Sequence, residues 1–224
     1  MSYLIDLKNI SINDFKKRLR NQYMIKSQLI LKEDIDQHFK KIQEMNIKNL
    51  DELQKHLKTK DKINSFSKET SLPINYLSVL RREINSYGMQ KRKIKDFSVI
   101  DGKIKKKLEA QGIKTTEDLY SLLLTKKARK NFADKLFISE DEVLFLAKLC
   151  EVCRLRYVTP EFGVIMINSS YDSIEKIRKA NPSKLYDGLV KTNTKNKIFK
   201  GKIDSNYMQF LIDDAHLHSL DIIL

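Results

Sequence analysis

The chain has 224 residues, 41% of them apolar, and a net charge of +14, enough for one larger domain or two small ones around a sizeable core. With only 6 Gly, 3 Pro and no Trp, it lacks the turn formers that β-sandwiches and disordered linkers need. Acidic surfaces, nucleic acid foremost, are natural partners for so basic a chain. The opening stretch, MSYLIDLKNISIN, has no basic leader and carries Asp6 and Asn9 early, unlike a secretion signal. No run approaches the ~20 apolar residues of a membrane span. Two Cys without an export signal point to a reducing cytoplasm.

Residues 45–87 repeat at 111–153, offset by 66 positions without a gap. Ile47, Lys48, Leu53, Leu57, Thr59, Lys60 and Phe66 meet Ile113, Lys114, Leu119, Leu123, Thr125, Lys126 and Phe132. Apolar positions also coincide at Leu72/Ile138, Leu77/Val143, Leu80/Leu146 and Ile84/Cys150, the matched spacing of a repeat architecture.

Each copy reads as a cassette of short helices. A helix over 103–111 carries Ile104 and Leu108 on one face, and the joint GIKT follows. Thr115 is an N-cap for TEDLYSLLL, and Thr125 caps KKARKNFADKL. Ser139 with Glu142 forms a capping box for EDEVLFLAKLCEVCRL, and Pro73 takes the place of Ser139 in the first copy. The run from Pro160 through GVIMI continues as helix. A third, shortened copy, SYDSIEKIRKANPSKLYDGLVKTN, places Tyr171, Ile174 and Ile177 at the positions of Ile113, Thr116 and Leu119. The chain then reaches DSNYMQFLIDDAHL, with Met208, Leu211, Ile212 and Ala215 at helical spacing. Helices this short are marginal alone and must pack on one another.

The stretches IDGKIKKKLEAQGIKTTEDLYSLL, KLFISEDEVLFLAKLCEVCRLRYVTPEF and YDSIEKIRKANPSKLYDGLVKTN resemble tandem helix-hairpin-helix modules. More narrowly, they resemble a bacterial domain-of-unknown-function family built of such modules, over residues 96–218. The resemblance implies an all-α fold of tandem helix-hairpin-helix-like (SAM-like) repeats. Residues 1–90 form a degenerate N-terminal repeat and residues 91–224 two further repeats. It also implies DNA-backbone binding, through a turn whose two glycines open backbone N–H groups to a phosphate at a helix N-terminus. Where those glycines would stand, this chain has Val99 and Asp101 in one copy and Tyr157 and Thr159 in the next, with Gly102 displaced by one. A side chain there blocks close approach and disfavours positive φ, and Asp101 brings a negative charge to the phosphate position.

Basic clusters remain as the candidate interface. Lys91, Arg92, Lys93 and Lys95 precede one hairpin, and Lys103, Lys105, Lys106 and Lys107 follow it, able to form a stripe for a nucleic-acid backbone. Lys126, Lys127, Arg129 and Lys130 form another cluster. Phe97 and Phe132, the nearby aromatics, read as core, so no base-stacking platform is indicated. Arg occupies only nine positions and the other 34 of the 43 basic residues are Lys. Phosphate binders favour the planar fork of Arg, and a Lys-rich chain also arises from a biased genome. Two readings therefore stay open: a sequence-independent nucleic-acid-binding module, and a protein-interaction or scaffold domain in which the hairpins keep only their packing role.

No enzymatic constellation is apparent. The Cys150–Cys153 pair falls late in a helix at positions matching Ile84 and Tyr87, so both thiols read as core rather than metal or redox groups. His38 and His56 stand apart, and His216 and His218 face different ways on a surface C-terminal turn. Asp213–Asp214 and Glu140–Glu142 read as helix-surface charges. No cofactor, metal, membrane or small-molecule substrate is expected.

Overall fold

Helices make up all the regular structure in a computed structural model of the chain, which describes residues 2–88 and 91–223. Among these residues there is no strand, only the isolated β-bridges Ser11↔Asn49 and Lys93↔Thr115. None of their helices is long and apolar enough to cross a membrane. The chain divides into two compact units, Ile5–Met89 and Met1–Leu4 with Gln90–Leu224.

The first unit holds α1 (Ile12–Asn21), α2 (Ile35–Glu44), α3 (Leu50–His56), α4 (Lys60–Thr70) and α5 (Ile74–Ser86). The second holds α6 (Gly102–Ala110), α7 (Thr116–Tyr120), α8 (Lys126–Leu136), α9 (Glu140–Val152), α10 (Pro160–Asn168), α11 (Ile174–Arg178), α12 (Pro182–Asn196) and α13 (Asn206–Ala215). The helix expected over 103–111 is α6, shifted by one residue.

The repeat is visible helix by helix. α3, α4 and α5 begin 66 residues before α7, α8 and α9. Their caps correspond. Thr59 accepts from Lys62 N and Thr125 from Ala128 N, while Asn49 accepts from Glu52 N and Thr115 from Asp118 N. Ser139 and Glu142 form the expected capping box. The backbone turns left-handed at matching places, Asn46 with Gly112 and Ser71 with Phe137. Even the bridges match: Ile12 N donates to Lys48 O and Leu50 N to Ile10 O, as Ile94 N donates to Lys114 O and Thr116 N to Arg92 O. Between bridge and following helix the copies differ. The first inserts α1 and a 3₁₀ turn at Lys26–Leu31, where the second has only the short turn Ile94–Asp96. In the third copy α10 and α11 share both bounds with α6 and α7 at an offset of 58, and Ser170 repeats the left-handed Gly112. In each copy the last helix packs on the two before it: α5 on α3 and α4, α9 on α7 and α8, α13 on α11 and α12.

Packing explains why marginal helices persist. Leu53, Leu57, Leu80 and Ile84 are buried in the first unit, and Leu119, Leu123, Leu146 and Cys150 in the second, each fully buried large aliphatic side chain contributing about 1.5–3 kcal/mol. Cys150 and Cys153 are core thiols, as their alignment with Ile84 and Tyr87 predicts. Burial raises both, Cys153 to about 12. A Cβ on Gly163 would come within 3.2 Å of Cys153 Sγ, so glycine lets α10 approach the end of α9. Tyr3 belongs to this core, its hydroxyl 2.7 Å from Thr116 Oγ1 and its ring edge-on to Tyr120.

Two expectations need correction. His218 and Asp214 are buried, not surface groups, although Asp213 and His216 are exposed. Asp214 accepts from Arg156 Nε at 2.5 Å and from Arg156 N at 2.8 Å, with His218 Nε2 at 3.5 Å. Burial raises the Asp214 carboxyl, but Arg156 and His218 more than offset this and hold it far below the usual carboxylate range. Burial also lowers the His218 imidazole, against the pull of Asp214. Helical spacing explains the placement: Asp214 follows Leu211 by three residues and Phe210 by four, both buried.

Arginine is the internal cation of the second unit. Arg154 pairs with Glu151 and donates to the carbonyls of Tyr3 and Ser219. Arg178 reaches the carbonyls of Ala215 and His218. Arg129, read from sequence as part of a surface basic cluster, is buried and donates to Leu123 O and Ile223 O.

Candidate nucleic-acid interface

α6 carries four lysines in nine residues. Ile104 and Leu108 face the core, so the 3.6-residue period puts Lys105 and Glu109 on one flank, Lys103 and Lys107 on the other, and Lys106 outward. The eight predicted basic residues do not form one stripe. Lys91 pairs with Glu117 at 2.5 Å. Arg92 is half-buried, its backbone N–H donating to Thr116 Oγ1. Lys107 donates to Phe137 O at 2.6 Å. Lys103 and Lys106 are exposed.

Lys93, Lys95 and Lys105 do converge. They line a groove of about 420 Å³ with Ile94, Ile113 and Thr115, and the structure adds Lys114 and Glu109. The Lys93↔Thr115 bridge brings the two loops together, and Lys105 Nζ donates to Lys95 O at 3.2 Å. Lys114 was missed because it sits inside the joint GIKT rather than in a basic run. Its place in the repeat, beside Lys48 of the first copy, was the available signal.

The turns that precede α6 and α10 are closed by their own side chains. Asp101 caps α6, its carboxylate accepting from Lys103 N at 2.7 Å. Thr159 caps α10, accepting from Phe162 N. Tyr157 keeps a left-handed backbone, φ 64, at a turn position where glycine is ordinarily favoured; its ring stands half exposed against Phe210. Val99 is exposed and its φ is not positive. Among the described residues no group of three or more His, Cys, Asp or Glu is placed to hold a metal ion.

The model of a family described as a domain of unknown function (DUF4332) matches residues 99–218, more than half of the chain. The chain belongs to this family. The matched span runs from the turn before α6 through α13, so it takes in Lys105 and Lys114 of the groove but not Lys93 and Lys95. Among curated proteins and solved structures, none matches the chain.

Proposed function

We propose that the chain is a non-enzymatic, cytoplasmic array of helix-hairpin-helix-like repeats that binds nucleic acid, DNA included, without sequence preference, through lysine side chains around α6 rather than through hairpin backbone. The groove that gathers Lys93, Lys95, Lys105 and Lys114 carries this reading. Ammonium groups attract phosphate as point charges and need no fixed fork. Arginine is committed to the interior of the same unit, so its scarcity on the surface does not argue against a phosphate partner. Asp101 occupies the helix N-terminus where a hairpin-bound phosphate would otherwise sit.

The test is a titration of duplex DNA at two salt concentrations. Affinity falls by about 0.9 log unit per contact per decade of salt. Reversing charge with Lys105→Glu and Lys106→Glu weakens binding to all sequences alike. Asp101→Asn keeps the cap, removes the charge and strengthens binding. The second reading is a protein-interaction or scaffold domain. The closed N-termini of α6 and α10 favour it, and absence of binding at low salt for both the parent chain and Asp101→Asn would select it.

A further inference from the structure

Phe137 is the most exposed large apolar side chain among the described residues, at 88%. It follows α8 directly in a left-handed backbone, φ 51, a state that disfavours side chains with a Cβ. The first copy adopts the same backbone at Ser71, φ 54. The turn is therefore a property of the repeat, while the aromatic ring is particular to the second copy. Packing does not account for it, since the ring lies almost wholly in solvent. A hydrophobic residue in an unfavourable backbone state without burial gains nothing for the fold.

Its surroundings are specific. Lys107 of α6 donates to its carbonyl at 2.6 Å, which ties the backbone at residue 137 to the helix that carries Lys103, Lys105 and Lys106. The adjoining residues, Lys135 and Leu136, enter a second groove, of about 540 Å³. Its apolar surface includes the exposed Leu122, and its polar groups include the amides of Gln111 and Asn131. An exposed ring, amides that can donate and accept, and flanking lysines are what an unpaired nucleotide uses: a face for the base, partners for its edge, and cations for its phosphate.

We infer that Phe137 forms a stacking site for an unpaired base, so that the preferred ligand of the lysine surface is single-stranded nucleic acid. This rests on the nucleic-acid reading above and names its ligand class. A duplex keeps its bases stacked internally and offers the ring nothing, whereas a single strand crossing α6 from the Lys93–Lys105 groove meets lysines first and the ring next. A partner helix would equally cover an apolar groove, but it has no use for the concentration of positive charge beside it unless strongly acidic.

Fluorescence anisotropy with one labelled oligonucleotide, single-stranded and as its duplex, separates the cases. Four chains are compared at low salt: the parent, Phe137→Gly, Phe137→Trp, and Lys105→Glu with Lys106→Glu. The single strand is expected to bind more tightly than the duplex. Phe137→Gly should weaken the single strand about tenfold and leave the duplex unchanged. Because glycine suits this backbone, the same variant should melt at a higher temperature, so lost binding cannot be ascribed to misfolding. Phe137→Trp should retain affinity, with indole emission quenched by the single strand alone. If lysine reversal weakens both ligands while Phe137→Gly alters neither, or alters both equally, the stacking site is refuted and the backbone reading stands. If neither ligand binds the parent chain, both fall. Loss of concentration-dependent self-association in Phe137→Gly, with oligonucleotide binding intact, would reassign the ring to protein contact.

Discussion

The helices α3–α5 and α7–α9 are the same construction carrying different surfaces. Their helix starts, caps and left-handed residues coincide at one offset, yet Ser71 in one is Phe137 in the other. The helix before each set differs more. α2 mixes Asp36 and Glu44 with Lys40 and Lys41, whereas α6 has four lysines and a single acid, Glu109. Interior exchanges go the other way. Ile63 is matched by buried Arg129, and Leu149 by buried Glu83, which accepts from Gln22 and Gln28. A repeat tolerates a charge in its core when local groups satisfy it, and its outer face is free to acquire binding chemistry.

The largest expected effect would sharpen the contrast between a mainly apolar core and one with embedded ion pairs. Asp214→Ala should destabilise the second unit by about 3–5 kcal/mol, because it removes the buried carboxylate that accepts from Arg156 Nε and N. Denaturant unfolding measures it, and a loss below about 1 kcal/mol would show the pair to be dispensable. Equivalence of the two copies can be broken next. Leu80 and Leu146 are both buried at matching positions, so truncating either to Ala should cost roughly 2–5 kcal/mol; one silent substitution would end the claim that the copies share a core.

A smaller effect follows from protons. His218 and Asp214 both have folded values below their ordinary ones, so the unfolded chain binds more protons and stability rises with pH. The His218 contribution is full above about pH 6.5 and is lost as pH falls toward its lowered folded value. The Asp214 contribution survives until pH drops below the ordinary carboxylate range. Unfolding of the second unit followed from pH 8 downward, about the range where His titrates, should show the first loss, and His218→Asn should remove it. The smallest effect compares the two left-handed caps. Phe137→Gly and Ser71→Gly should each raise stability by about 1 kcal/mol. A decrease at Phe137 would mean that its ring packs after all.

Cassette order and caps were legible because they depend on local chemistry. Thr115, Thr125 and the Ser139–Glu142 box announce helix starts by side-chain oxygens set at fixed spacing. The inserted α1 was not, since the repeat lacks a partner for it. For Asp214 and His218 polarity predicts exposure, and only a third dimension reveals Arg156 opposite. The candidate site was half legible. Runs of lysine stood out, but which of them converge depends on the bridge at Lys93 and Thr115. Phe137 was hidden inside the apolar run LFI. The aligned Ser71 was the one sign that its position faces water.

Tyr3 and Arg154 tie the first residues of the chain to the second unit. The family-matched segment begins at Val99, but the core it builds also draws on Ile94, Phe97 and Tyr3. Arg154 spends hydrogen bonds on the carbonyls of Ser2 and Tyr3. Residues 5–88 are therefore an insertion, in chain order, within the unit they interrupt. A fragment cut at residue 99 would expose the ring of Tyr120 and leave a buried guanidinium short of acceptors. Splicing residues 2–4 to residue 91 through a short glycine-rich connector keeps the partners of Arg154 and Tyr120 in the chain, which truncation at residue 99 removes.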